Sequence, residues 1–258
     1  MDTMSENIKT EVMGRILRIE LNRQEKKNAL SMDMYAGIGK AINEAEQDPN
    51  IRVILIHGQK DFCAGNDMGG FQSSNVEKGT NPLKDFSEGL IKTTKPIIAA
   101  VKGYSIGVGM TMLLHCDLVY AGTSAQFRTP FVNLAICPDM GSTYVLPRLV
   151  GHHLASEILL LCDFMTAEEA YRIGFVNKVF PDDILMEKVM EIANRLAEKP
   201  PGSVRLTKQL LKRHSVDIIM EQKGEEFKNL AKKVRSREAR EVFKAFFEKR
   251  EPDFSKFK

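Results

Sequence analysis

The 258-residue chain has no tryptophan and only four cysteines, Cys63, Cys116, Cys137 and Cys162. None forms a CxxC pair, and only Cys116 has a histidine beside it, His115. Adjacent residues rarely ligate one metal, so no metal site is expected. Scattered thiols fit a reducing compartment, and the cytoplasm is the expected location. No uninterrupted run of about 18 apolar residues occurs, so no membrane span and no membrane partner are expected. The opening residues, MDTMSENIKTEVMG, lack the apolar stretch of a signal peptide and the arginines of a transit peptide. A net charge of +3 is too small to argue for a nucleic-acid partner. No Gly-Lys-Ser/Thr follows a glycine cluster, which excludes a Walker phosphate loop. The stretch Gly107-Val-Gly109-Met-Thr-Met112 lacks the last glycine of a dinucleotide fingerprint.

What is present is an ordinary globular composition, 43% apolar and 28% charged, long enough to bury a core without disulfides. The charge is unevenly placed. Residues 199–258 carry 17 basic and 9 acidic side chains, while residues 1–198 carry 20 and 25. Strands are predicted at 15–21, 51–57, 96–102, 118–121, 125–128 and 175–180. Helices are predicted at 32–47, 84–93 and 110–115, then almost continuously from 142 to 249. Pro200-Pro201-Gly202 separates two of these helices. Strands alternating with helices give an α/β class, with residues 1–198 as the core and 199–258 as a helical region of the same unit. Val242, Phe243, Phe246 and Phe247 form an aromatic stripe on the last helix, expected in the core or at a subunit interface.

Two glycine-rich turns each stand between a predicted strand and a helical segment. They are Ala64-Gly65-Asn66-Asp67 and Gly103-Tyr-Ser-Ile-Gly107-Val108-Gly109. Backbone N–H groups at such turns serve either tight packing or an oxyanion. The second turn also fits Gly-x-Ser105-x-Gly, the nucleophile elbow of serine hydrolases. Its candidate downstream histidines, His152, His153 and His214, lie in helical segments and do not follow a strand. Asp139, between an apolar run and a helix start, reads either as a helix cap or as a partly buried base with raised proton affinity. Asp67 reads as a turn-stabilising carboxylate.

Several stretches resemble the crotonase superfamily of enoyl-CoA hydratases and isomerases along nearly the whole chain. They include Leu21-Asn-Arg23, Asn28-Ala-Leu30, Phe62-Cys-Ala-Gly65-Asn-Asp67, Ala100-Val-Lys-Gly103, Cys116-Asp117 and Pro147-Arg148. The resemblance implies a spiral of ββα turns with a C-terminal helical trimerisation region, as a homotrimer or dimer of trimers. It implies an acyl-CoA thioester substrate, with coenzyme A arriving as part of that substrate and no separate cofactor. The backbone N–H groups of Ala64 and Val108 would hold the thioester oxygen. The two glutamates of the family's hydratases correspond to Thr111 and Phe131, neither of which can act as an acid. Asp139 corresponds to the single carboxylate of Δ3,Δ2-enoyl-CoA isomerases, and to the aspartate of a ring-epoxide isomerase of phenylacetate breakdown. The implied activity is therefore a shift of a 3-enoyl-CoA double bond to the 2-position through an enolate. Substrate contacts are expected from Lys26, Lys27, Ala29, Ala64, Gly65, Asn66, Asp67 and Met68, with Thr111 and Phe131 lining the pocket. Lys249 is expected to approach a CoA phosphate from a neighbouring subunit. A hydratase, a ring-epoxide or oxepin isomerase, a serine hydrolase at Ser105 and a non-catalytic acyl-CoA binder stand as alternatives.

Overall fold

The computed structural model describes residues 6–67 and 81–257. Six strands form its main sheet: β1 (Ile8–Met13), β2 (Ile16–Leu21), β3 (Val53–Gly58), β4 (Ile97–Val101), β6 (Leu118–Gly122) and β9 (Lys178–Phe180). They lie in the order β1-β2-β3-β4-β6-β9. Only the β1–β2 pair is antiparallel; every other pair in this sheet is parallel. A smaller sheet joins β5 (Tyr104–Ile106), β7 (Gln126–Arg128) and β8 (Met165–Thr166). Isolated bridges Cys63↔Ser105 and Leu30↔Asn66 extend it. Successive turns of the chain thus place one strand in the large sheet and a shorter one in the second layer. β3 is followed by Cys63–Asn66, β4 by β5, and β6 by β7. This is the expected ββα spiral.

Strand alternation explains how the large sheet is covered on both faces. Ile54 and Ile56 of β3 face one apolar cluster with α1 (Met32–Gln47) and α2 (Pro82–Lys92). Val53 and Leu55 face the other. That second face is covered by α7 (Leu185–Ala197), whose Leu185, Val189, Ala193 and Ala197 recur every four residues and are all buried. β3 therefore has no solvent face, as its continuous apolar run requires.

The predicted second-turn helix begins earlier than expected. Residues Val108–Thr111 form one α turn (α3), and Met112–His115 continue as 3₁₀. The last predicted strand shortens to β9, and β1, β5 and the two-residue β8 were not foreseen as strands. β1 is mostly exposed, so its sequence carries little apolar alternation. After α3 come α4 (Ser142–Val150), α5 (His152–Leu161), α6 (Ala167–Arg172), α7, α8 (Pro201–Lys212), α9 (Val216–Lys233) and α10 (Arg237–Phe247). The C-terminal helices attach to the core by buried polar contacts. Lys208 Nζ sits 2.7 Å from Asp117 and donates to the Lys95 carbonyl. The aromatic stripe of α10 is not core within this chain, because Phe246 and Phe247 are 75% and 80% exposed. No helix among the described residues is long and apolar enough to cross a membrane.

Candidate active site

The two glycine turns meet. A Cβ on Gly65 would lie 3.2 Å from the Ile106 carbonyl oxygen, and one on Gly109 would clash with the Cys63 carbonyl. Gly107 takes φ +56°, a conformation side-chain-bearing residues rarely adopt. Cys63 N–H donates to Tyr104 O, and Ile106 N–H donates to Cys63 O, both at 2.8 Å. The turns are thereby laced into one backbone wall.

Which amides of that wall remain open depends on where each hydrogen is already used. Ala64 N–H, expected as one of two oxyanion donors, donates to the Lys27 carbonyl at 2.9 Å. It has one hydrogen and that hydrogen is used, so the expectation for Ala64 does not fit this geometry. Asp67 N–H is used in the same way, by Leu30 O at 3.0 Å. Val108 begins α3, so its N–H has no intrahelical acceptor. Among the described residues, the N–H groups of Val108 and Asn66 donate to no protein acceptor. The Asn66 side chain is occupied separately, accepting from the hydroxyl of buried Tyr35.

Asp139 faces this wall through α3. Thr111 Oγ1 donates to Asp139 Oδ1 at 2.6 Å, and Thr111 N–H bonds Gly107 O at 2.9 Å. Asp139 as a residue is half-buried, and protein surrounds its carboxylate. Burial pushes its pKa from 3.8 up to about 7; the Thr111 bond opposes the rise and the nearby Glu226 carboxylate adds to it. The side chain does not cap α4. The helix starts at Gly141 instead, and Glu226 from α9 accepts from the amides of Gly141 (2.5 Å) and Thr143 (3.0 Å). The helix-cap reading of Asp139 therefore does not hold. Buried His115 fixes the next residue through Nε2–H to Met140 O at 2.6 Å. Burial drives the His115 pKa down to about 3, so it stays neutral.

Around the rim, Arg23 Nη1 contacts Asp67 Oδ2 at 2.7 Å and donates to Ala29 O at 3.0 Å. Asp67 thus ties the first glycine turn to the segment around Arg23. Lys26 and Lys27 are exposed and Ala29 is half-buried. Lys27 Nζ lies 4.2 Å above the Tyr104 ring. Phe131 is buried at the start of the turn that leads to Asp139. Met68 lies outside the described residues, as do 69–80. Lys249 is exposed just after α10, and its N–H donates to Phe246 O, away from the two turns. Ser105 is fully buried, and its Oγ donates to Gly109 O at 2.9 Å. A hydroxyl enclosed in this way, with no histidine bonded to it, is not poised as a nucleophile.

Sequence reasoning missed Tyr35, His115 and Glu226 as supports of the site. Glu226 leaves one trace: it stands seven residues after Ile219, and these are the two residues of α9 buried in the chain. An acidic residue on the apolar stripe of a charged helix signals a buried partner.

Comparison with known proteins adds the remaining constraint. The family described as Enoyl-CoA hydratase/isomerase matches residues 11–257. The 1,2-epoxyphenylacetyl-CoA isomerase of Escherichia coli K12 is 32% identical over 98% of this chain and 99% of its own length. Enoyl-CoA delta isomerase 2 of Rattus norvegicus is 32% identical over 80% of this chain; the match spans about half, 54%, of the rat protein. A crotonyl-CoA hydratase of Syntrophomonas wolfei is 37% identical over 79% of this chain and 80% of its own. An enoyl-CoA hydratase/isomerase structure from Pseudoalteromonas atlantica T6c superposes with a TM-score of 0.94 at 36% identity, covering 97% of this chain and all of that one.

Proposed function

The chain belongs to the enoyl-CoA hydratase/isomerase family, and we propose that it isomerises 3-enoyl-CoA thioesters to 2-enoyl-CoA with Asp139 as its single base. The observation that carries the reading is the Asp139–Thr111 pair. One carboxylate with a pKa near neutrality stands beside the glycine turns, and among the described residues its only hydrogen-bonded side-chain neighbour is a hydroxyl. A base with this affinity is half ionised near pH 7, which suits both taking and returning a proton.

In the proposed cycle the carboxylate of Asp139 removes a proton from C2. The C–H electron pair moves into the C1–C2 bond, and charge builds on the thioester oxygen. The N–H groups of Val108 and Asn66 receive that charge; losing one such donor costs about 2.7–4 kcal/mol in a comparable hole. Protonated Asp139 then delivers the proton to C4, and the double bond comes to rest between C2 and C3. Hydration needs one group to orient water and another to deliver a proton. Thr111 already donates to Asp139, and Phe131 carries no exchangeable proton. Lys26, Lys27 and Ala29 are proposed to flank the CoA moiety, which enters with the substrate. Exposed Phe246, Phe247 and Leu211 are proposed to be covered by further copies of the chain in a trimer or dimer of trimers.

The test is turnover of a thioester panel. Wild type should convert 3-hexenoyl-CoA to 2-hexenoyl-CoA, and Asp139→Asn should lose at least about a thousandfold in kcat while binding CoA as before. If the Asn variant keeps most of its turnover, Asp139 is not the base. The hydratase reading gains from the 37% identity to a crotonyl-CoA hydratase. Hydration of crotonyl-CoA that survives Asp139→Asn would establish it, and ring-epoxide turnover would establish the second isomerase reading.

A further inference from the structure

We infer that Glu226 on α9 is a positioning residue for Asp139, fixing the backbone on its C-terminal side. The inference rests on Asp139 being the base. One carboxylate grips two amides: Glu226 Oε2 accepts from Gly141 N–H at 2.5 Å, and Oε1 from Thr143 N–H at 3.0 Å. Oε1 also accepts from Thr143 Oγ1 at 2.5 Å. These amides lie two and four residues beyond Asp139. Between them and Asp139 stands Met140 at φ +61°, followed by Gly141 at φ +72°. Two successive left-handed residues form a sharp bend that its own sequence does not favour, since that conformation is strained for Met.

The bend persists because it is clamped from both sides. His115 holds the Met140 carbonyl at 2.6 Å, and Glu226 holds the amides that follow. Gln222, on the same face of α9, donates to Thr143 Oγ1 at 2.8 Å. Ile219 closes the third side: a Cβ on Gly141 would lie 2.9 Å from its Cγ2. Glu226 is 4% exposed; burial raises its own pKa, and the bonds from Thr143 and Gly141 oppose that rise by favouring the ionised form. The groups facing Asp139 from the packed elements are Thr111 of α3, Glu226 of α9, Tyr35 of α1, Cys63 in the first glycine turn, and Cys137 two residues upstream. Tyr35 and Cys63 are neutral, because burial raises both, Cys63 to about 12. Burial also raises the Cys137 thiol. Among the described residues, Glu226 is the one other carboxylate acting on Asp139.

The consequence is read in kcat against pH. Asp139 must be ionised to act, so activity falls on the acid side. The Glu226 carboxylate adds to the raised pKa of Asp139, so in Glu226→Gln the acid limb of kcat should move to lower pH. KM should stay within about twofold. Glu226→Asp keeps the charge but is one methylene short of holding both amides; its limb should stay in place while kcat falls several-fold at constant KM. A Glu226→Gln limb that coincides with wild type overturns the electrostatic part of the inference. Wild-type kcat in Glu226→Asp overturns the positioning part, and this milder variant remains informative if Glu226→Gln does not fold. Asp139→Asn, assayed alongside, separates failure of the inference from failure of the base assignment: only an active Asn variant removes the base itself.

Discussion

Replacing Asp139 by Asn should make the protein more stable above neutral pH while making it inactive. The folded chain holds this carboxyl at a pKa of about 7, against an ordinary value of 3.8. Between those two values the folded state binds a proton that the unfolded chain has released. Stability therefore falls as pH rises through that window, and levels off above about 7. Each tenfold gain in proton affinity on folding corresponds to about 1.36 kcal/mol, so the ionised side chain costs up to about 4 kcal/mol at pH 8. Its partial contact with solvent makes this an upper bound. Asn keeps an oxygen that accepts from Thr111, fills nearly the same volume and carries no charge for Glu226 to repel. Thermal unfolding followed by circular dichroism at pH 8 should show a higher Tm for Asp139→Asn, by roughly 2–4 °C per kcal/mol gained. The gain should shrink steadily towards pH 4, where both carboxyl states approach the protonated form. A difference that does not vary with pH, or an Asn variant less stable at pH 8, would refute the raised affinity. The expected pairing of lost activity with gained stability is the signature of a group retained for chemistry.

Two further outcomes follow from the same geometry. Thr111→Val removes a hydrogen-bond donor to a charged group, about 1.5–3 kcal/mol, with little change in shape. It should move the acid limb of kcat to higher pH by about one unit, opposite in direction to Glu226→Gln; an unmoved limb in a pH-rate profile would count against the Asp139–Thr111 bond. Phe247→Glu puts a charge on an exposed apolar patch and should lower the assembly state, read by light scattering. Burial of each such ring in an assembly is worth roughly 1.5–3 kcal/mol, and an unchanged mass would remove Phe247 from the interface.

Much of the layer arrangement was legible from local pattern. The run at β3 is apolar on both faces because both faces are covered, and the four-residue spacing of α7 marks the face that covers one of them. β1 escaped because it is an exposed edge strand, whose side chains answer to solvent more than to a core. The glycine turns were legible because glycine takes positive φ without strain and permits such close backbone approach. Their distribution of free amides was not. Whether Ala64 or Asn66 keeps its N–H depends on where the Lys27 carbonyl arrives, and that is set by left-handed residues at 27 and 28 and by buried Asn28 donating to Asp61 O at 2.7 Å.

Asp139 marks the division most clearly. The amino-acid sequence by itself determined that one carboxylate stands after Pro138, and that Thr111 and Phe131 supply no second acid. Residue identity requires no folding to read. Only the tertiary structure decided that this carboxylate is a candidate base and not a helix cap. That outcome depends on a competing carboxylate, Glu226, arriving from a distant helix to satisfy the amides of α4. It depends equally on burial, which no single residue encodes and which only packing of α3, α4 and α9 creates.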